Sequence, residues 1–284
     1  MRRPRLVAAG STVAGALAAY GLLFGQAKLA RRAIGVTDAR PPSADGLYGP
    51  DTPVEPVRLL LLGDSAAVGY GMDRAEQTPP FMLGTGLAHV LDRPVEVKSL
   101  AVVGAKTADV LDEQLPRIGD YAPHVTVIIV GTNDVTHQVP LRVSARQLGR
   151  VVEELVELGS EVVVGTTPDL GTIRPIMQPL RTWAQRQSRE LARRQSPAVR
   201  EAGGHPVPLA HLLGDLFRDR YDVMFGFDRF HPSEAGYANM VSVLLPAVAA
   251  AIGGREAHDS AQHLVRPSRR WHLPLRRGSD RQKA

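Results

Sequence analysis

The stretch LLLLGDSAAVGYG, residues 59–71, carries an acid and a serine directly after four leucines. Glycine, aspartate and serine are common where strands end, so an ordinary turn is one interpretation of Asp64 and Ser65. The other interpretation is that Ser65 is a nucleophile held at the end of a buried strand. A serine that cleaves an ester needs a base to activate it, a third group to orient that base, and donors for the oxyanion.

The segment FDRFHPSEAGYA, residues 227–238, contains a candidate base and a candidate orienting acid. Asp228 precedes His231 by three residues, a spacing that lets a carboxylate on a loop fold back against the imidazole. Asp228 would then accept a hydrogen bond from one ring nitrogen while the other nitrogen faces Ser65. Taken alone, the pair favours a structural aspartate and a surface histidine.

Two further residues are candidates for stabilising a negative oxygen. Asn133 in VGTNDV follows an apolar run, where a side-chain amide can donate to an oxyanion, although asparagine is also a common turn residue. Gly104 in LAVVGAKTADVL has no side chain, which would let a substrate approach its backbone N–H closely.

The elements that must position these residues are visible from residue 57 onward as short apolar runs alternating with helical patterns. The runs predict strands at 57–62, within 95–103, at 125–130, at 161–166 and, more weakly, at 207–209. The helical patterns cover 81–91, 108–115, 144–158, 183–194 and 233–252. This alternation indicates a parallel sheet covered by helices on both faces. Because ligands bind at the carboxyl ends of parallel strands, we expect GDS and GTND at one edge of the sheet.

Together and in this order, GDS at Ser65, Gly104, GTND at Asn133 and DRFHP at His231 resemble the four sequence blocks of the SGNH, or GDSL, hydrolases. The resemblance runs from about residue 57 to residue 252. It implies a three-layer α/β/α sandwich of flavodoxin-like type with about five parallel strands. It also implies ester hydrolysis by a serine enzyme that needs no metal and no cofactor.

The resemblance also implies a role for each matching residue. Ser65 would be the nucleophile, and its backbone N–H would donate to the oxyanion together with the Gly104 N–H and the Asn133 amide. His231 would be the general base and then the general acid, oriented by Asp228.

Some positions depart from the family pattern and leave details of the pocket open. Ser99 stands where relatives often have asparagine, and Lys106 stands where a small polar residue is common.

Ser65 lies in Gly-Asp-Ser-Ala-Ala rather than Gly-x-Ser-x-Gly, so the strained nucleophile elbow of the α/β-hydrolases is not indicated. Asp64 is predicted to brace the turn, because Asp228 already supplies the acid for His231.

Composition narrows the class of protein. The 284 residues can bury one sizeable core, and the lack of cysteine excludes disulfides, thiolate zinc sites and a cysteine nucleophile. The net charge of +5 belongs to the two ends: residues 1–32 and 264–284 contribute +6 each, whereas residues 33–263 contribute −7. A nucleic-acid-binding domain would carry a basic face on its folded part, so we expect no nucleic-acid partner.

The ends of the chain predict its location. Residues 1–32 are predicted to be a signal sequence or a membrane anchor. The uncharged run 6–27 is long enough to cross a hydrocarbon core of roughly 30 Å as an anchor. The alternative is a signal peptide that is cleaved after residues 25–27. Residues 33–56 are predicted to be a proline-rich linker, 57–253 the hydrolase domain, and 254–284 a basic, disordered tail. That tail is either solvated or docked on an anionic surface. The arrangement predicts an extracytoplasmic enzyme, either anchored or secreted.

We expect the substrate to be an ester of a small molecule, a lipid or a glycan. The segment PDLGTIRPIMQPLRTW, residues 168–183, either lines the site or packs a helix start against the core. Its apolar residues are Leu170, Ile173, Ile176, Met177, Leu180 and Trp183. Exposure of these residues near the site favours a lipid or medium-chain acyl ester, and burial favours acetyl groups on glycans. An acyltransferase with the same triad and a catalytically idle envelope-binding module are the other possibilities.

Overall fold

A six-stranded sheet forms the centre of the computed structural model, which describes residues 41–265 and residues 21, 25, 26, 28 and 29. The predicted N-terminal span and the tail beyond residue 265 otherwise lie outside the described residues. The strands are β1 (Gly46–Tyr48), β2 (Val57–Gly63), β3 (Val95–Ser99), β4 (Val125–Ile129), β5 (Glu161–Gly165) and β6 (His205–Val207). Their order across the sheet is β1-β3-β2-β4-β5-β6.

Five of the strands, β2 to β6, run parallel, as the sequence predicts. The sixth strand, β1, pairs antiparallel with β3, with Tyr48 opposite Val95. It lies in the segment 33–56 that the sequence indicates as a linker, so the sheet begins upstream of residue 57. The three residues of β1 are too few to show a period, which is why only the pairing reveals this strand.

The helices cover both faces of the sheet. They are α1 (Ser65–Val68), α2 (Pro79–Leu91), α3 (Thr107–Asp109), α4 (Thr132–Thr136), α5 (Leu141–Glu157), α6 (Leu180–Glu201), α7 (Leu209–Asp219), α8 (Tyr221–Met224) and α9 (Glu234–Val265). Within residues 41–265 there are also a π-helical turn at Val110–Gln114 and 3₁₀ turns at Ala75–Gln77, Leu115–Arg117 and Leu170–Thr172. The three-layer α/β/α architecture predicted from the sequence is thereby confirmed.

Strand β2 shows how the layers are held together. Its side chains alternate between two cores, because successive residues of a strand point to opposite faces. Leu59 and Leu61 pack in the core that contains α2, α7 and α9, whereas Leu60 and Leu62 pack in the core that contains α5 and α6. All four leucines are buried from solvent.

Helix α9 differs from its prediction, since it continues past residue 252 to Val265. Its stretch Glu234–Gly254 has the length and composition of a membrane span. In the fold, however, Tyr237, Leu244 and Val248 on this helix are completely buried against the sheet. These contacts make the stretch part of the core of the domain.

Candidate active site

Ser65 follows the carboxyl end of β2 and opens α1. The turn before it requires glycine, because Gly63 has φ of +130° and a Cβ there would collide with the carbonyl oxygen of Ile129 on β4. Asp64 caps α1: its Oδ1 accepts a hydrogen bond from the Ala66 N–H at 2.9 Å. Asp64 therefore braces this turn, as the sequence predicts. Ser65 itself is largely buried, with 7% of its surface exposed.

A buried glutamine that the sequence analysis did not single out holds the backbone just before the serine. The side-chain amide of Gln114 accepts from the Gly63 N–H at 2.9 Å and donates to the Gly63 carbonyl at 2.8 Å. Gln114 lies in the π-helical turn and is only 1% exposed. A single glutamine within a helical pattern gives no sign of such a contact.

Ser65, His231 and Asp228 form one hydrogen-bonded chain. The Ser65 hydroxyl Oγ lies 3.0 Å from His231 Nε2, within reach to donate to this nitrogen. On the other side of the ring, His231 Nδ1 donates to Asp228 Oδ2 at 2.6 Å. The structure thus brings together three side chains separated by up to 166 residues in sequence. This is the arrangement by which a base takes a proton from a serine.

The loop before α9 folds the carboxylate against the imidazole. Asp228 Oδ1 accepts from the backbone N–H groups of Phe230 and His231, each at 2.9 Å. Burial raises the pKa of Asp228, but the hydrogen bonds from the His231 side chain and from both N–H groups outweigh it, so the pKa lies below its ordinary value. The carboxylate is therefore ionised and available to His231 at neutral pH.

Two aromatic rings pack against the imidazole of His231. The ring of Tyr70 lies 4.4 Å from it and that of Phe230 lies 4.9 Å away, measured between centroids. Tyr70 is held in turn, because its carbonyl accepts from the hydroxyl of Tyr237 at 2.9 Å. The side chain of His231 keeps 15% of its surface exposed, so a small molecule can reach it.

The loop that carries Gly104 meets the helix that carries Asn133. Asn133 Nδ2 donates to the Ala105 carbonyl at 3.1 Å, which leaves its second amide hydrogen free of that bond. Gly104 has φ of +86°, and among the described residues no heavy atom lies within 4 Å of the place a Cβ would take. The Val102 N–H donates to the Gly63 carbonyl at 3.0 Å, tying the same loop to the strand end before Ser65.

Another buried carboxylate, Asp134, fastens this loop to α4. Its Oδ2 accepts from the Thr107 N–H at 3.0 Å. The pKa of nearby Asp64 is raised to about 7, mainly because this carboxyl is buried. The negative charge of Asp134 raises this pKa further, whereas hydrogen bonds from the N–H groups of Ala66 and Gly131 lower it.

The two positions that depart from the family pattern make contacts away from the serine. The Ser99 N–H donates to Asp45 Oδ1 at 2.9 Å, at the end of β3. Lys106 Nζ lies 3.4 Å from Asp109 Oδ1, at the start of α3.

The segment 168–183 divides between the two uses that the sequence allows. Leu170 and Ile173 are buried and line a cavity beside Ser65 and His231. Both residues also belong to an apolar cluster that is distinct from the two cores of the sheet and includes Ile176, Leu180 and Trp183. Met177 is the exception, with 56% of its surface exposed.

Comparisons with known proteins agree with this fold and motif order. Residues 61–238 match the model of the GDSL-like Lipase/Acylhydrolase family. The chain is 39% identical over 264 residues to the GDSL-like esterase Rv1075c of Mycobacterium tuberculosis, an alignment that covers 86% of this chain and 84% of the relative. The chain therefore belongs to the GDSL, or SGNH, hydrolase family, and it is a hydrolase that acts on ester bonds.

Solved structures share the fold at low sequence identity. TesA superposes with a TM-score of 0.57 at 18% identity, covering 68% of this chain and 99% of TesA. A catalytic mutant of Axe2, an acetylxylan esterase from Geobacillus stearothermophilus, superposes with a TM-score of 0.53 at 20% identity, covering 69% of this chain and 94% of Axe2. These likenesses bear on the fold alone.

Proposed function

We propose that the protein is a serine carboxylesterase that works through an acyl-enzyme on Ser65. The observation that carries the proposal is the continuous hydrogen-bonded chain from Ser65 Oγ through His231 to Asp228. In this assignment Ser65 is the nucleophile, His231 the general base and acid, and Asp228 the group that orients the imidazole. The Ser65 N–H, the Gly104 N–H and the Asn133 amide form the oxyanion hole.

The reaction proceeds in two halves. Ser65 Oγ attacks the ester carbonyl carbon while His231 Nε2 takes the hydroxyl proton, and the carbonyl oxygen becomes negative. When the intermediate collapses, the bond to the alcohol breaks and the alcohol leaves with the proton from His231. Water then attacks the acyl-enzyme and loses a proton to His231. When this second intermediate collapses, the bond between the acyl carbon and Ser65 Oγ breaks, His231 returns the proton to Ser65, and the carboxylic acid is released. The ionised Asp228 stabilises the imidazolium that forms in both halves.

The test is hydrolysis of a short p-nitrophenyl ester by the purified protein with no metal added. Replacing Ser65→Ala or His231→Ala should each remove nearly all turnover, leaving the roughly 10³–10⁴-fold enhancement over water that binding and the oxyanion hole supply. Ser242→Ala is a matched control, because Ser242 lies on the exposed side of α9 and its hydroxyl donates to the Asn239 carbonyl of the same helix. Undiminished turnover in either Ser65→Ala or His231→Ala refutes the assignment.

We further propose that the catalytic domain lies outside the cytoplasm, held by the N-terminal segment or released after its cleavage. The uncharged run 6–27 motivates this location. Gln26 at the end of that run supports an attached segment: its Nε2 donates to the Gln178 carbonyl at 2.5 Å, and its Oε1 accepts from the Leu180 N–H at 3.1 Å. The basic residues 254–284 provide a contact for an anionic envelope surface.

A further inference from the structure

A cavity of about 80 Å³ lies directly beside the Ser65 hydroxyl and the His231 ring. It is enclosed by three parts of the fold: the segment after β5, helix α7, and the loop that leads to His231. The apolar side chains that form its walls include Leu170, Ile173, Leu213, Phe217, Phe225 and Phe230. Two of these rings, Phe217 and Phe225, meet edge to face at 5.3 Å and close one side.

The polar side chains at the wall near α7 are already hydrogen bonded within the protein. Asp169 Oδ1 accepts from the Gly171 N–H at 2.8 Å, and its Oδ2 accepts from Arg189 at 2.7 Å. The Thr172 hydroxyl donates to the Asp169 carbonyl at 2.8 Å. Among the described residues, the buried side-chain atoms without a hydrogen-bond partner do not belong to this wall. An apolar occupant therefore breaks none of these bonds, whereas a charged acyl group would be desolvated without a counter-charge.

The volume limits the size of the occupant. An apolar cavity of roughly 150 Å³ is known to bind benzene, which has six carbons, so a cavity about half that size holds a chain of about three or four carbons. Burial of the segment 168–183 would by itself favour acetyl groups, but Leu170 and Ile173 are buried around this cavity. An acetyl group would leave most of the cavity empty, and a chain of sixteen carbons would not fit inside it.

We propose that this cavity receives the acyl chain of the substrate, and that the enzyme prefers unbranched aliphatic acyl groups of about four to six carbons. The inference rests on the proposed function, because the chain enters the cavity when the acyl group is attached to Ser65. Each methylene that leaves water for an apolar wall contributes about a fourfold gain, so kcat/KM rises with chain length until the cavity is full.

Gly214 on α7 offers a way to shrink the cavity without disturbing the backbone. It lines the cavity, and a Cβ there would lie 3.7 Å from Asp169 Cβ, an ordinary contact distance. Alanine also favours a helix over glycine by about 1 kcal/mol, so Gly214→Ala should fold at least as well as the parent. Gly149 on α5 is the matched control, because it has similar room, next to Ala198, on the opposite face of the sheet.

The experiment measures kcat/KM for p-nitrophenyl esters from acetate to palmitate, which vary the acyl chain and keep the alcohol constant. We expect a maximum between butanoate and hexanoate. Gly214→Val should lower the hexanoate-to-acetate ratio of kcat/KM at least tenfold, Gly214→Ala should lower it less, and Gly149→Ala should keep it within twofold. Ile173→Ala, which enlarges the cavity, should move the maximum to longer chains.

Two results separate the failure of this inference from the failure of the proposed function. If acetate is the best substrate and the Gly214 variants leave the ratio unchanged, the acyl chain does not occupy this cavity, although Ser65→Ala still abolishes turnover. A maximum at palmitate overturns the size limit in the same way. If no ester is hydrolysed, or Ser65→Ala keeps full turnover, it is the proposed function that fails.

Discussion

The amide of Asn133 shows how one side chain at this site can serve either structure or chemistry. Its bond to the Ala105 carbonyl joins α4 to the loop of Gly104, which is a structural contact. The second hydrogen on the same nitrogen is the one that our assignment directs to the oxyanion. The two uses have different consequences, because an oxyanion exists in the tetrahedral intermediate but not in the ground-state ester.

Replacing Asn133→Ala should therefore lower kcat about 10²–10³-fold with little change in KM, as expected for the loss of one oxyanion donor. Asn133→Asp should be at least as poor, because a carboxylate repels a negative oxygen. The measurements are kcat, KM and the melting temperature on the same preparations. A purely structural asparagine would give the reverse pattern: a lower melting temperature with turnover per folded molecule within about threefold of the parent.

At the scale of elements, the strand ends are joined by side chains from helices that lie elsewhere in sequence. Gln114 binds both backbone groups of Gly63, 51 residues away, and so connects the π-helical turn to the strand that delivers Ser65. Gln195 on α6 connects the segments that follow β4 and β5. Its side-chain amide donates to the Val130 carbonyl and accepts from the Thr167 N–H. The positions of the loops at this edge depend on such contacts.

Replacing Gln114→Leu should cost about 1–3 kcal/mol in the free energy of unfolding, because the buried Gly63 N–H loses its partner. It should also lower kcat, because the backbone before Ser65 is then less well held. Both quantities are measured together, by chemical unfolding and by ester hydrolysis.

Thr126→Val is the control for that experiment. Thr126 is also buried and bonds to the Ser160 hydroxyl at 2.9 Å, but it lies near the amino end of β4, away from the serine. The control should lose stability and keep its kcat. Equal kcat in Gln114→Leu and in the parent would show that Gln114 only stabilises the fold.

For the whole molecule, the distribution of charge and apolar residues is the basis of the proposed location of the domain. The acidic centre and the two basic ends differ in sign, and the uncharged run precedes the folded domain. We expect protease added to spheroplasts that produce the full chain to digest the domain while a cytoplasmic marker stays intact. A domain that resists protease until detergent is added would contradict the proposed location.

The sequence by itself determined the features that depend on local patterns. The apolar runs of β2 and β4 indicate strands buried on both faces, and their parallel pairing follows from the helical patterns between them. The four ordered motifs identify the family, which the comparisons confirm. The three-residue spacing of Asp228 and His231 already allows their contact, because both lie on one short loop.

Only the tertiary structure decided what depends on contacts between distant residues. Strand β1 forms because Tyr48 and its neighbours pair with β3 at the edge of the sheet. The bond from Gln114 to Gly63 has no local signature, because any buried glutamine could make it. Likewise, Ile173 faces the cavity while Met177, four residues on, is exposed. A loop has no fixed period to assign its side chains to a face, so packing against α7 and the His231 loop makes that assignment.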